Sequence, residues 1–199
     1  ASVERLFSAA RRKPAAPARG SVEEKRVSVR FQAPRFAGGA NWPVRCGLPI
    51  PAGELAAAAQ AAVTDAQGRT VPSQNRALAT WPDGSVKWLY LDLFHDFSRA
   101  PVGEYTVAYG NRVRAAAPPN RVRVEEAPEG LRVDTGAIRF LVPQARFGML
   151  EDVRLASGQV VQSAPVSAEI TEASGKQWRA LELPVERLEL EQAGPLHVV

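Results

Sequence analysis

Short segments in which apolar and polar residues alternate, each closed by a turn signal, run the length of this chain and restrict its fold more than any other feature. "VSVRF" sets Val27, Val29 and Phe31 on one face and Ser28 and Arg30 on the other, the period-two pattern of a strand. "PVRCGL" and "EYTVAYG" alternate in the same way. The 16 prolines and 15 glycines are spread along the chain rather than clustered, which suits many short strands better than long helices. No apolar run approaches the roughly 20 residues that a membrane-spanning helix needs, so no membrane partner is expected.

The strongest hairpin is "NRALATWPDGSVKWLYLDLFHDF". Its Pro-Asp-Gly-Ser turn, Pro82 to Ser85, joins two runs of strand character. Alternation puts Val86, Trp88, Tyr90, Asp92 and Phe94 on one face and Lys87, Leu89, Leu91 and Leu93 on the other. Both faces are largely apolar, so the expectation is a strand covered on both sides. Trp81 and Trp88 are then core rings that meet across the hairpin, and the competing reading is a sugar-stacking platform. "PAGELAAAAQAAV" is expected to hold at most a short helical turn before a strand ending near Val63, and "TDAQGRTVP" a turn at Asp65 to Gly68.

"NRVRAAAPPN" reads as a linker. Beyond it "RVRVEE", "GLRVDTG", "AIRFLV", "MLEDVRL", "QVVQ", "VSAEI", "KQWRALEL" and "VERLELE" form a second series of strands, separated by "APEG", "LASGQ" and "EASGK". Strands do not alternate with long helices, which excludes a parallel α/β fold. The expected class is all-β: a flexible basic lead-in over 1–25, a small barrel over 26–115, and the beginning of a second β domain over 116–199.

The net charge of +4 invites a nucleic-acid reading, but its distribution opposes one. Ten of the 25 basic residues and three of the 21 acidic ones lie within 1–45, a balance of +7 that leaves −3 for the remainder. No basic groove interleaved with aromatics is visible, so nucleic acid is not an expected partner. The lead-in contains a twin arginine, Arg11 and Arg12, but "KPAAPARG" follows where an export signal needs an apolar segment. Residues 1–19 are expected to be mobile. The abrupt end at "GPLHVV" suggests a piece of a longer protein. The single Cys46 alternates with Val44 and Leu48 and is expected to pack inward. One cysteine leaves a secreted and a cytoplasmic location equally open.

The chain has two histidines, His95 and His197, and no His-Glu-x-x-His, Cys-x-x-Cys, Gly-x-Ser-x-Gly or glycine-rich phosphate loop. No catalytic residue, metal site or cofactor is therefore expected, and His95 reads as a surface or hydrogen-bonded residue. The candidate sugar contacts are Trp42 and Arg45 at the start of "NWPVRCGLPIP". An indole stacks on a pyranose face and a guanidinium pairs with a uronate carboxylate. The competing role for Trp42, ahead of a proline at a strand entry, is to cover the barrel end.

"WPVRCGLPIPAGEL", "VTDAQGRTVPSQ" and "ATWPDGSVKWLYLDL", in that order, resemble the N-terminal barrel of the exo-rhamnogalacturonan lyase and YetA-like family. The residues that carry the likeness are Gly47, Pro49, Pro51 and Gly53; Asp65, Gly68, Val71, Pro72 and Gln74; and Trp81 to Ser85. "VDTGAIRFLVP" and "LEDVRL" are similar to the opening strands of its central β-sandwich, while "ELAAAAQAAV" departs from the more apolar strand of the family. The resemblance implies a RIFT-type barrel, a β-sandwich and a C-terminal α/α toroid. It also implies a parent protein that cleaves rhamnogalacturonan-type pectin by β-elimination. The implied partners are the polysaccharide and the chain's own toroid, which would carry the catalytic residues. On this reading the present chain is the non-catalytic part; the alternative is a carbohydrate-binding or structural interaction module.

Overall fold

The computed structural model describes residues 23–33, 39–118 and 121–199. The chain is all-β, and the only helical elements among the described residues are 3-10 turns at Ala58–Gln60 and Ala180–Glu182. It divides into two compact units between Ala116 and Ala117. Most of the basic lead-in, and with it the expectation of mobility over 1–19, lies outside the described residues.

The first unit holds β1 (Lys25–Gln32), β2 (Trp42–Pro49), β3 (Ala61–Asp65), β4 (Thr70–Val71), β5 (Ser73–Thr80), β6 (Val86–His95) and β7 (Val102–Tyr109). They form a four-stranded sheet in the order β1-β7-β3-β4 and a three-stranded sheet in the order β2-β6-β5. Every pairing is antiparallel. Between β4 and β5 stands Pro72 alone. It has no N–H to offer a ladder, so the strand leaves one sheet there and enters the other. The arrangement is a barrel built from two sheets with a corner at Pro72.

Alternation decides what faces the interior. Leu89, Leu91 and Leu93 of β6 meet Val63 of β3 and Tyr105, Val107 and Tyr109 of β7 in one buried cluster. Each such leucine contributes about 1.5–3 kcal/mol through the apolar surface it removes from water. Ile50 and Leu55, in the β2–β3 connection, join the same core and extend the ladder. The Ile50 N–H donates to the Lys87 carbonyl at 2.9 Å, and the Val86 N–H to the Leu55 carbonyl at 2.7 Å. Asn75 ties the two sheets together: its Nδ2 donates to the Ala61 carbonyl at 2.8 Å, where β3 begins in the opposite sheet.

The short helical turn and the strand after it are as expected, except that β3 continues to Asp65. The Asp65–Gly68 turn also forms. Asp65 Oδ1 accepts from the Gln67 and Arg69 N–H groups at 3.0 and 2.9 Å.

Two expectations for this hairpin fail. Strand β6 is not covered on both sides: Trp88 is 41% and Phe94 40% exposed, whereas Leu89 and Leu91 are fully buried. Nor do Trp81 and Trp88 meet. Bulges between Ala77 and Thr80 shift the pairing, so Trp88 lies opposite Ala79 and Pro49. Trp81 instead donates from Nε1 to the Ile50 carbonyl at 2.8 Å and carries Lys87 Nζ 4.6 Å from its ring centroid.

The second unit is a meander of β8 (Arg123–Ala127), β9 (Gly130–Asp134), β10 (Ile138–Pro143), β11 (Glu151–Leu155) and β12 (Val160–Gln162), followed by the hairpin β13 (Glu169–Thr171) and β14 (Gln177–Arg179). "VERLELE", read as a strand, forms none. Pro184 interrupts the chain before it, and no described strand pairs with it.

Candidate functional site

The three-stranded sheet turns its second face outward, and the residues there come from three distant stretches. Strand β6 supplies Trp88, Tyr90, Asp92 and Phe94 at alternate positions. Register places Arg45 of β2 and Gln74 of β5 on either side of Asp92, and Gly47 and Arg76 on either side of Tyr90. Asp92 is only 4% exposed although it belongs to this outer row. Arg45 Nε sits 2.8 Å from its Oδ1, which supplies the positive charge that a buried carboxylate needs. Next along the strand, Arg76 lies with Cζ 4.8 Å from the centroid of the Tyr90 ring, a cation–π contact. The Trp88 indole leans across to β2, where its Cε3 is 3.6 Å from the point a Gly47 Cβ would occupy.

The two sequence candidates do not converge. Arg45 lies on this outer face beside Asp92. Trp42 belongs to the opposite parity of β2, level with His95, and packs partly buried against the core. Cys46 shares the inner parity and packs against the core as expected. Burial, and after it the charge of Asp92, push its thiol up, away from the reactive thiolate. Sequence reasoning missed Arg76, which nothing local in "NRALATW" distinguishes. It did place Trp88, Tyr90, Asp92 and Phe94 on one face.

A second polar cluster lies at His95. Its Nε2 is 2.8 Å from the Ala100 carbonyl and its Nδ1 2.6 Å from Tyr105 Oη. A carbonyl only accepts, so Nε2 carries a proton, and in the neutral ring Nδ1 accepts from the tyrosine. Phe97 stands edge-on to the imidazole with centroids 4.4 Å apart. Burial, then the charge of Asp65, raise the Tyr105 phenol. The adjoining cleft of about 360 Å³ also receives Arg69 and Arg99, but each is committed: Arg69 to Asp65 at 2.8 Å and Arg99 to Asp96 at 3.1 Å. The cluster is a set of satisfied structural contacts, in line with the hydrogen-bonded role expected of His95.

The Trp-Pro-Asp-Gly-Ser turn is a third constellation, and it is also structural. Gly84 has φ 85°, where a side chain is strained. Asp83 Oδ1 accepts from the Ser85 N–H at 2.9 Å and from its hydroxyl at 2.6 Å, and these bonds hold the Asp83 carboxyl below its ordinary range. The Ser85 Oγ accepts in turn from the Gly53 N–H at 2.8 Å, pinning the hairpin to the β2–β3 connection. Among the described residues no group of three or more His, Cys, Asp or Glu stands at metal-binding distance.

Residues 29–108 match the family model of the PcRGLX-like N-terminal RIFT barrel domain. No curated protein matches the chain. Over these residues the chain is similar to the N-terminal RIFT barrel domain of rhamnogalacturonan lyase-like proteins.

Proposed function

We propose that the chain is the non-catalytic N-terminal portion of a polysaccharide lyase acting on rhamnogalacturonan-type pectin. Its role is to support and orient a catalytic unit contributed by another part of the parent protein. In that reading the barrel occupies 26–115 and the sheet from 116 onward opens a β-sandwich. The observation that carries the reading is the family match over residues 29–108. The pairing of the barrel's polar groups supports it. Asp65, Asp83 and Asp96 accept backbone N–H groups in turns, Glu54 accepts from Lys25 and Tyr109, and His95 bridges Tyr105 and Ala100. Groups committed in this way position backbone rather than move protons.

β-Elimination removes the proton at C5 of a uronate and expels the 4-linked sugar, with the uronate carboxylate neutralised to acidify that proton. The test is a continuous assay of the ultraviolet absorbance of the unsaturated uronate product. The chain alone and the chain joined to its native C-terminal continuation would each be supplied with rhamnogalacturonan. Product from the joined protein and none from the chain alone is the expected result. Product from the chain alone would overturn the non-catalytic assignment, and no product from the joined protein on any pectin would detach it from lyase chemistry.

A further inference from the structure

The outer face of the β2-β6-β5 sheet combines three features. The first is a row of rings along the central strand. Trp88 and Phe94 are 41% and 40% exposed, with Tyr90 half-buried between them. At about 3.4 Å per residue the row from Trp88 to Phe94 spans roughly 20 Å, long enough for several pyranose rings end to end. The second is unneutralised positive charge. Arg76 is exposed over Tyr90 and has no carboxylate partner among the described residues. The third is a preset guanidinium. Arg45 stands with Nε 2.8 Å from Asp92 Oδ1 while 45% of its side chain is exposed, which holds a guanidinium beside the row and open to an incoming acceptor.

We propose that this face binds an acidic oligosaccharide, a chain containing uronate residues, laid along β6. Trp88 and Phe94 stack against the apolar faces of sugar rings. Arg76 pairs with a uronate carboxylate, and Arg45 donates to a second acceptor one row further on. Charge selects the ligand class: the arginines outnumber the one carboxylate of the face, Asp92, which is already paired. A neutral glycan leaves Arg76 without a partner, and an apolar protein surface would desolvate it. The uronate class rests on the lyase-like reading above; the existence of the binding face does not.

The test is isothermal titration calorimetry of the chain with oligogalacturonides and with rhamnogalacturonan oligosaccharides, against cello-oligosaccharides as the neutral control. The expected result is binding of at least one uronate ligand, at least tenfold tighter than the control and weakened by salt. Trp88→Ala and Arg76→Gln should each weaken it at least tenfold. Melting curves show whether the variants fold, and Phe94→Ala replaces Trp88→Ala if the latter does not. Absence of binding to every uronate ligand overturns the proposal, as does binding that Trp88→Ala and Arg76→Gln leave unchanged. A chain that binds no glycan but forms a dimer dissolved by Trp88→Ala also overturns it, in favour of a protein interface. The readout is binding without turnover, so its failure leaves the lyase assay of the joined protein untouched.

Discussion

Asn75 is the single side chain whose replacement best tests how the two sheets are held together. Its Nδ2 donates to the Ala61 carbonyl at 2.8 Å and reaches the Ala58 carbonyl at 3.5 Å. Both neighbours are acceptors, so the position demands a donor. Asn75→Asp keeps the shape and removes the donor. At neutral pH a carboxylate would face the two carbonyls. The loss comprises a hydrogen bond of about 1 kcal/mol and the cost of opposing acceptors, about 1–3 kcal/mol, or about 3 kcal/mol together. The folded state would avoid this by keeping the carboxyl protonated. A penalty of that size corresponds to a folded pKa raised about 2 units above the ordinary value near 3.9. The direction follows: a raised folded pKa means stability retained below the unfolded value and lost as pH rises through the folded one. Relative to wild type at the same pH, the variant should therefore lose little near pH ~4. The deficit should grow up to about pH 6 and level off beyond it. For a domain of this size the full loss lowers the melting temperature by roughly 12–24 °C. Thermal melts followed by circular dichroism at matched pH read this directly. A deficit equal at pH ~4 and ~8, or a variant melting within a few degrees of wild type at pH ~8, would refute the inter-sheet tie.

Leu91→Ala, at a fully buried position on the central strand, should cost about 2–5 kcal/mol in urea unfolding. Gly130→Ala should disrupt the second unit while leaving the barrel's transition in place. At φ 146° its added Cβ would stand 2.0 Å from the Val142 carbonyl oxygen, and about 3 kcal/mol or more is the expected loss. The Tyr109 phenol, pushed up to about 12 by burial and then by its hydrogen bond to Glu54, should be the last tyrosine to ionise in an alkaline absorbance titration. Since the neutral form is the one stabilised, its contribution persists below pH ~10 and is lost as pH rises towards the folded pKa. Glu54→Gln should lower that midpoint only in part, because burial is the larger cause.

What could be read in advance was whatever local chemistry decides. The Asp65–Gly68 and Pro82–Ser85 turns were legible because an aspartate that accepts nearby N–H groups and a glycine at positive φ act within a few residues. The 3-10 turn before β3 and the inward parity of Cys46 were legible for the same reason. The Arg45–Asp92 pair was not, because it depends on β2 lying beside β6, 47 positions along the chain. The meeting of Trp81 with Trp88 was misjudged because bulges near Ala79 move the register by steps that no residue pattern announces.

The misreading of Trp88 has a more instructive cause. Alternation sorts a strand into two sets of side chains but does not say which set the rest of the fold will cover. In β6 both sets are apolar enough to be core, and the leucines took the interior. Asp92 held the missing information. A carboxylate among Trp88, Tyr90 and Phe94 would have to be buried with a cation if that face were core, and no basic residue shares its row within the strand. The cation had to come from a neighbouring strand. An outward face that a long arginine could reach from β2 meets that need, with the charged group still touching water: 45% of the Arg45 side chain is exposed. One acidic residue in an apolar row therefore argues for an outward face held by a neighbouring arginine, and it leaves the rings beside it available to a ligand.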